Sequence, residues 1–357
     1  MGLDPPILAV SLEAPKGGTG PGVDEMMGEA VAERSLTLVH DEGKRAKTLR
    51  RFRRDDRIFK AVTLASAVTV LVLLAGVMIA LLHGSLPAWR VFGFDFLTSE
   101  SWNPVTEKFG ALPAIYGTLL TSFIAMLIGI PVSIGIAIFL TEICPERLRR
   151  TIGTAIELLA GIPSIIYGIW GLFVFAPWLQ VHVQPFFIDT FANIPVLNQL
   201  FAGPPYGIGL LTAGLILAIM VLPFITSITR EVFETVPPVL KEAAYGIGCT
   251  RWEVMRRVVI PYTRVGIIGG VMLGLGRALG ETMAVTFVIG NAHRIVPSIL
   301  APGTTISASI ANEFTEAVGD LYTASLVALG LILFFITFVV LAAARLMLMR
   351  IARKGGN

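Results

Sequence analysis

The chain has 357 residues, 54% of them hydrophobic and only 15% charged, with a mean hydropathy of +0.76 and a formal net charge of +3. A soluble domain carries about 25% charged residues, so this balance excludes an ordinary water-soluble globule and points to a bilayer. The basic clusters stand beside long apolar runs with no base-stacking motif among them, which argues against nucleic acid as their partner.

Residues 1–43 mix Gly, Pro and acidic residues with short apolar pieces and hold no sustained period, which reads as a disordered cytoplasmic tail. The start lacks a charged stretch followed by an apolar one, so the N-terminus is expected to stay in the cytoplasm. Residues 44–60 follow as a basic juxtamembrane segment with nine Lys or Arg. Ala61–Leu82 then runs 22 residues without a charge. At ~1.5 Å per residue this reaches ~33 Å, enough for a hydrocarbon core of ~30 Å.

Five further spans are predicted at 111–141, 152–178, 207–229, 265–290 and 321–344. Only helices satisfy their own backbone groups in lipid, so the fold class is an all-α integral membrane protein with six transmembrane helices, its permease-like domain covering 61–354. Pro131, Pro163 and Pro223 fall inside predicted spans, where each is expected to kink its helix. Kinks of this kind suit a bundle that rearranges, although simple packing is the commoner reason for such residues. The segments on one side of the predicted membrane hold 22 Lys or Arg and those on the other hold 3, which places both termini in the cytoplasm. Trp89, Trp102, Trp178 and Tyr206 lie near the edges of the outer segments, as an interfacial belt would. Cys144 and Cys249 are far apart in sequence, so neither a disulfide nor a zinc site is expected. His83, His182 and His293 read as isolated residues on the outer side, without a metal or any other role.

Between the fourth and fifth spans, within about 235–262, the sequence reads Glu242-Ala243-Ala244-Tyr245-Gly246-Ile247-Gly248, then nine residues, then Val258-Val259-Ile260-Pro261. This resembles the E-A-A-x3-G-x9-I-x-L-P loop of ABC importer permeases, with Val258 and Ile260 in place of Ile and Leu. The resemblance implies a short coupling helix seated in a groove of an ATPase subunit, marked here by Glu242, Ala243, Ala244, Gly248 and Pro261. Pro237 and Pro238 precede good helix formers, the small residues permit close approach by a partner, and Glu242 is expected near the helix N-terminus, where the dipole favours it. An ordinary solvated connector is the alternative. The chain contains no G-x-x-x-x-G-K-[ST] loop, so ATP is expected on a separate subunit and no cofactor on this one. It reads as a transport subunit, not an enzyme.

The fifth predicted span contains Arg277 and Glu281 four residues apart, one helical turn on one face, where they can pair. Each charge costs about 2.5 to 3.5 kcal/mol near the bilayer centre, so both are expected to face the bundle interior. A permanent ion pair explains them. So does an anionic substrate that meets the Arg277 guanidinium while Glu281 holds it between passages.

The run Gly276-Arg277-Ala278-Leu279-Gly280-Glu281-Thr282-Met283-Ala284 resembles the matching helix of the phosphate permeases of ABC importers. So do Tyr116–Leu119, Glu157–Ile165 and Ala244–Thr250, over about residues 58–353. The resemblance implies a type I importer bundle, inorganic phosphate as substrate, a sister permease, a pair of ATPase subunits and an extracytoplasmic phosphate-binding protein, in a bacterial inner membrane. It also implies that Arg277 and Glu281 are needed for uptake, with Thr282 and Glu157 as further pathway candidates; Glu157 reads alternatively as a cap at a span entrance. Another oxyanion, sulfate or molybdate, would use the same arginine. An ion-coupled secondary transporter would leave the coupling loop unexplained.

Overall fold

The computed structural model describes residues 22–354. The helices are α1 (Gly22–Phe92), α2 (Asp95–Thr98), α3 (Leu112–Ile138), α4 (Glu146–Ala160), α5 (Ser164–Trp170), α6 (Ala176–Trp178), α7 (Gln184–Phe191), α8 (Pro195–Leu200) and α9 (Leu210–Glu234). They continue as α10 (Pro238–Gly246), α11 (Arg251–Val254), α12 (Ile260–Leu279), α13 (Met283–Ile289), α14 (Ile306–Glu313) and α15 (Asp320–Lys354). A two-stranded hairpin pairs β1 (Trp102–Asn103) with β2 (Lys108–Phe109) antiparallel. The chain divides into two units, residues 1–75 and 76–357. Within the first, α1 runs unbroken from Gly22, so the tail expected to be irregular over 1–43 is helical from that residue on. No proline follows Pro21 until Pro87, and Glu, Ala, Leu, Lys and Arg dominate the stretch between, so nothing stops the helix. The rest of the predicted tail, residues 1–21, lies outside the described residues.

Among the described residues, six helical stretches are long and apolar enough to cross a membrane: Asp55–Phe92, Leu112–Ile143, Ser164–Phe191, Leu210–Glu234, Arg251–Leu279 and Asp320–Arg350. Four coincide with predicted spans, and the third and fifth require correction. The third does not run through 152–178. Pro163 sits with extended backbone (ψ 134°) ahead of α5; it has no N–H to continue α4, and its ring drives Ile162 before it from the α region. Gly161-Ile162-Pro163 therefore separates the charged, amphipathic α4 from the apolar stretch that begins at Ser164, and Pro163 starts a helix where a kink was predicted. The fifth ends at Leu279, and Gly280-Glu281-Thr282 divides it from α13.

At three other prolines the helix widens instead of breaking, and at a fourth, Pro145, it widens just before it ends. Cys144, Ala176, Gln184 and Ile260 each donate their N–H to the carbonyl five residues back, at Phe139, Gly171, Leu179 and Met255. Each stands immediately before a proline: Pro145, Pro177, Pro185 and Pro261. A proline ring crowds the carbonyl four residues back, and one π-turn moves that carbonyl aside.

Among the described residues, three apolar clusters hold the second unit. The largest joins α3, α9, α12 and α13 through Met126, Ile216, Leu217, Val221, Ala278, Val285 and Val288. A second, at the end carrying the β-hairpin, packs Ala88, Phe96, Phe109, Ile306 and Leu329. The third lies at the opposite end beneath α10, formed by Ala137, Phe233, Ala244, Val254, Met255 and Val259.

Candidate functional site

Arg277 occupies the last turn of α12, where a cation complements the helix dipole, and its side chain is exposed on this chain. The expected pair with Glu281 does not form: among the described residues no ion pair joins them. The helix that would have stacked them one turn apart ends at Leu279. Glu281 instead accepts the Ala284 N–H (3.3 Å) across the start of α13. Thr282 donates to the Gly280 carbonyl (3.4 Å), and its own carbonyl accepts the Thr286 hydroxyl (2.7 Å). The interruption thus puts the cation on the last turn of α12 and the carboxylate and hydroxyl together on the non-helical turn that follows.

A second interruption lies beside it. Tyr167 of α5 donates its hydroxyl to the Leu159 carbonyl (3.0 Å), bridging the break at 161–163, and lies within electrostatic reach of Arg277. One residue on, Gly168 lets α5 press against α13: a Cβ there would come within 2.9 Å of the Phe287 ring and 3.0 Å of the Met283 carbonyl. The broken parts of the third and fifth spans therefore meet. Non-helical backbone at membrane depth persists where it is buried in protein or lines a polar cavity, and discontinuous helices of this sort form ion and substrate sites in transporters.

Glu157 stands elsewhere. It lies near the C-terminal end of α4, where the dipole disfavours a carboxylate, so it does not cap a span entrance; it pairs with Arg230 of α9 at 3.3 Å. Arg230 also meets Glu234 at 3.2 Å, and its guanidinium lies over Gly153. This cluster fastens α4 to α9.

The loop expected to couple to an ATPase is a separate structure at the third cluster. Val239, Leu240 and Ile247 are exposed on or just beyond α10, and Trp252 is exposed at the start of α11, with Ile247 at 83%. Ala244 points the other way and is 8% exposed, so it packs inward and is not a contact point for a partner. Ala243 and Glu242 are exposed; Glu242 is the fifth residue of α10, past the first turn where the dipole would favour it. Gly248 has φ +88°, and its N–H reaches the Tyr245 carbonyl at 2.9 Å. It ends the helix, a task requiring left-handed backbone, and nothing crowds its α-carbon. Thr250 and Glu253 then start α11 with a capping box. Pro261 sits in the first turn of α12 behind the π-turn described above.

Sequence reasoning missed a polar cluster at the other end. His293 is not isolated: it faces Glu313 at 3.3 Å, stacks on Trp102 (ring centroids 5.1 Å apart) and meets the Ser309 hydroxyl at 3.2 Å. Glu313 also accepts from the Trp102 indole (2.6 Å) and the Tyr322 hydroxyl (2.7 Å). Burial pushes the His293 pKa below the usual histidine range, against a smaller upward pull from Glu313. These residues are up to 220 positions apart, and no local pattern signals their meeting.

Residues 115–353 match the family model described as "Binding-protein-dependent transport system inner membrane component". The chain is 74% identical over 312 residues to the phosphate transport system permease protein PstC of Mesorhizobium japonicum, covering 87% of this chain and 95% of that protein. It is 58% identical over 300 residues to PstC of Pasteurella multocida, covering 84% and 93%. Among solved structures, a bacterial ABC transporter that imports the acidic polysaccharide alginate aligns with a TM-score of 0.55 at 20% identity, over 83% of this chain and 96% of that one. That likeness concerns the fold.

Proposed function

Because the chain belongs to the family of binding-protein-dependent transport system inner membrane components, we propose that it is the membrane permease of an ATP-driven importer of inorganic phosphate. The reading is carried by Arg277, a permanent cation at the paired interruptions of the third and fifth spans. A guanidinium offers two parallel donors to a phosphate oxyanion and keeps its charge at any cellular pH. Glu281 and Thr282 stand on the same non-helical turn, Thr282 as a neutral donor and Glu281 as the carboxylate that a divalent anion repels. Glu157 is left out of the pathway.

A sister permease (PstA-like) closes the exposed face that carries Arg277. An ATPase pair (PstB-like) receives the apolar face of α10, and a phosphate-binding protein (PstS-like) delivers substrate from outside. The basic ends of the spans, α10 and both termini are cytoplasmic; the β-hairpin and α14 face out, in the cytoplasmic membrane of a bacterium.

The test is uptake of labelled phosphate by the assembled importer in proteoliposomes. Losing a charge-assisted hydrogen bond is worth about 1.5–3 kcal/mol, so Arg277→Gln is expected to reduce uptake at least ~10-fold with assembly intact, and Arg277→Lys less. Full uptake by an assembled Arg277→Gln importer would remove the arginine from the pathway. Strong competition by sulfate would remove the selectivity for phosphate.

A further inference from the structure

Glu142 lies in the π-turn Phe139–Ile143 that closes the second span ahead of Pro145, with its side chain only 9% exposed. The Lys241 ammonium of α10 meets one of its oxygens at 2.5 Å. Tyr245, one turn further along α10, lies within electrostatic reach of the same carboxylate. Lys241 and Tyr245 stand on one face of the helix, four residues apart, so α10 turns both side chains toward this carboxylate and grips it through Lys241. The π-turn is secured from its other side by Arg149 of α4, which donates to the Thr141 carbonyl at 2.9 Å.

We propose that Glu142 is a positioning residue for transport: its carboxylate is the link through which displacement of α10 pulls on the second span. This rests on α10 being the ATPase-coupling helix. The apolar contact between α10 and the spans runs through the methyl group of Ala244, and such a contact transmits a push but yields readily to a pull. A nearly buried charge pair in a medium of reduced dielectric resists separation. The span end it holds is a widened turn, which has slack that a regular helix lacks. With the link intact, α10 and the second span move together in both directions of the transport cycle. With it broken, the ATPase keeps docking on α10, and part of each stroke is lost at the π-turn.

The measurement is the number of ATP hydrolysed per phosphate delivered by the complete importer in proteoliposomes. Glu142→Gln and Lys241→Met are each expected to raise that ratio at least ~5-fold while ATP hydrolysis stays within ~2-fold of wild type. Tyr245→Phe, which removes one hydroxyl, is expected to raise it less, and the exchange Glu142→Lys with Lys241→Glu to bring the ratio back within ~2-fold. An unchanged ratio in Glu142→Gln overturns the proposal, as does an exchange no better than the single variants. If Glu142→Gln does not assemble, Lys241→Met, which removes the other half of the ion pair, decides on the same ratio. The coupling reading is tested separately by Ile247→Asp, just beyond the exposed face of α10: retention of the ATPase by that variant would sink the reading itself, whatever Glu142 does.

Discussion

Left-handed backbone at Gly248 (φ +88°) ends α10, and no atom stands within 4 Å of the place a Cβ would take. Any substitution there is penalised by conformation alone. For an L-residue this amounts to about 1–2 kcal/mol, so Gly248→Ala is expected to fray the end of α10. Amide exchange of residues 245–249 should accelerate roughly 5-fold or more; unchanged protection would mean that the turn relaxes without cost. The same scale shows how far single residues were legible. Arg277 announced itself, because an arginine amid apolar residues stands out on any hydropathy scale. Its partner did not: four-residue spacing predicts a contact only while the helix continues, and it stops two residues short of Glu281. Gly248 was legible as a required glycine but not for its reason, since spacing alone cannot tell a close approach from a positive φ.

Among the elements, the six spans were legible because uncharged runs long enough to cross a bilayer are rarely stable anywhere else. The two breaks were not. Gly161-Ile162-Pro163 and Gly280-Glu281-Thr282 leave the mean hydropathy of their windows high, while the backbone departs from the helix at each. Packing between elements was equally invisible, and it is severe where α3 meets the loop before α14. A Cβ on Gly117 would come within 1.8 Å of the Thr304 carbonyl oxygen, and the next residue, Thr118, accepts the Ile306 N–H at 2.9 Å. Overpacking of this kind costs about 1–3 kcal/mol. Gly117→Ala is therefore expected to lower the thermal midpoint of the detergent-solubilised protein by several degrees. Gly76→Ala, inside α1 with nothing within 4 Å, should leave it equal or slightly raised, since alanine is the better helix former. Equal midpoints for the two variants would show that α3 and the loop separate easily.

At the scale of the whole molecule, one end of the second unit is tied together by a single carboxylate. Glu313 of α14 takes the indole of Trp102 from the β-hairpin and the hydroxyl of Tyr322 from α15, and faces His293 from the loop after α13. Four segments that enter the region separately thus share one anchor. His293 is mostly buried (side chain 15% exposed), and burial holds its pKa below the ordinary value despite Glu313. A depressed histidine pKa sets the sign of the pH dependence. Above the ordinary value of about 6.5 the ring is neutral in both folded and unfolded chains and the anchor keeps its full stability. As the pH falls below that value the unfolded chain binds the proton first, so stability declines until the pH has passed through the folded pKa, by at most about 1.4 kcal/mol per pH unit for one proton. The thermal midpoint of the solubilised protein is thus expected to drop between pH 6.5 and 5 by more than that of His293→Gln, whose amide carries no proton to take up. Parallel midpoints for the two proteins over that interval would mean that the ring gains its proton in the folded state as readily as in the unfolded one, with Glu313 offsetting burial in full. A smaller drop than the variant's would make the anchor an ion pair that strengthens in acid, and the sign of the prediction would reverse.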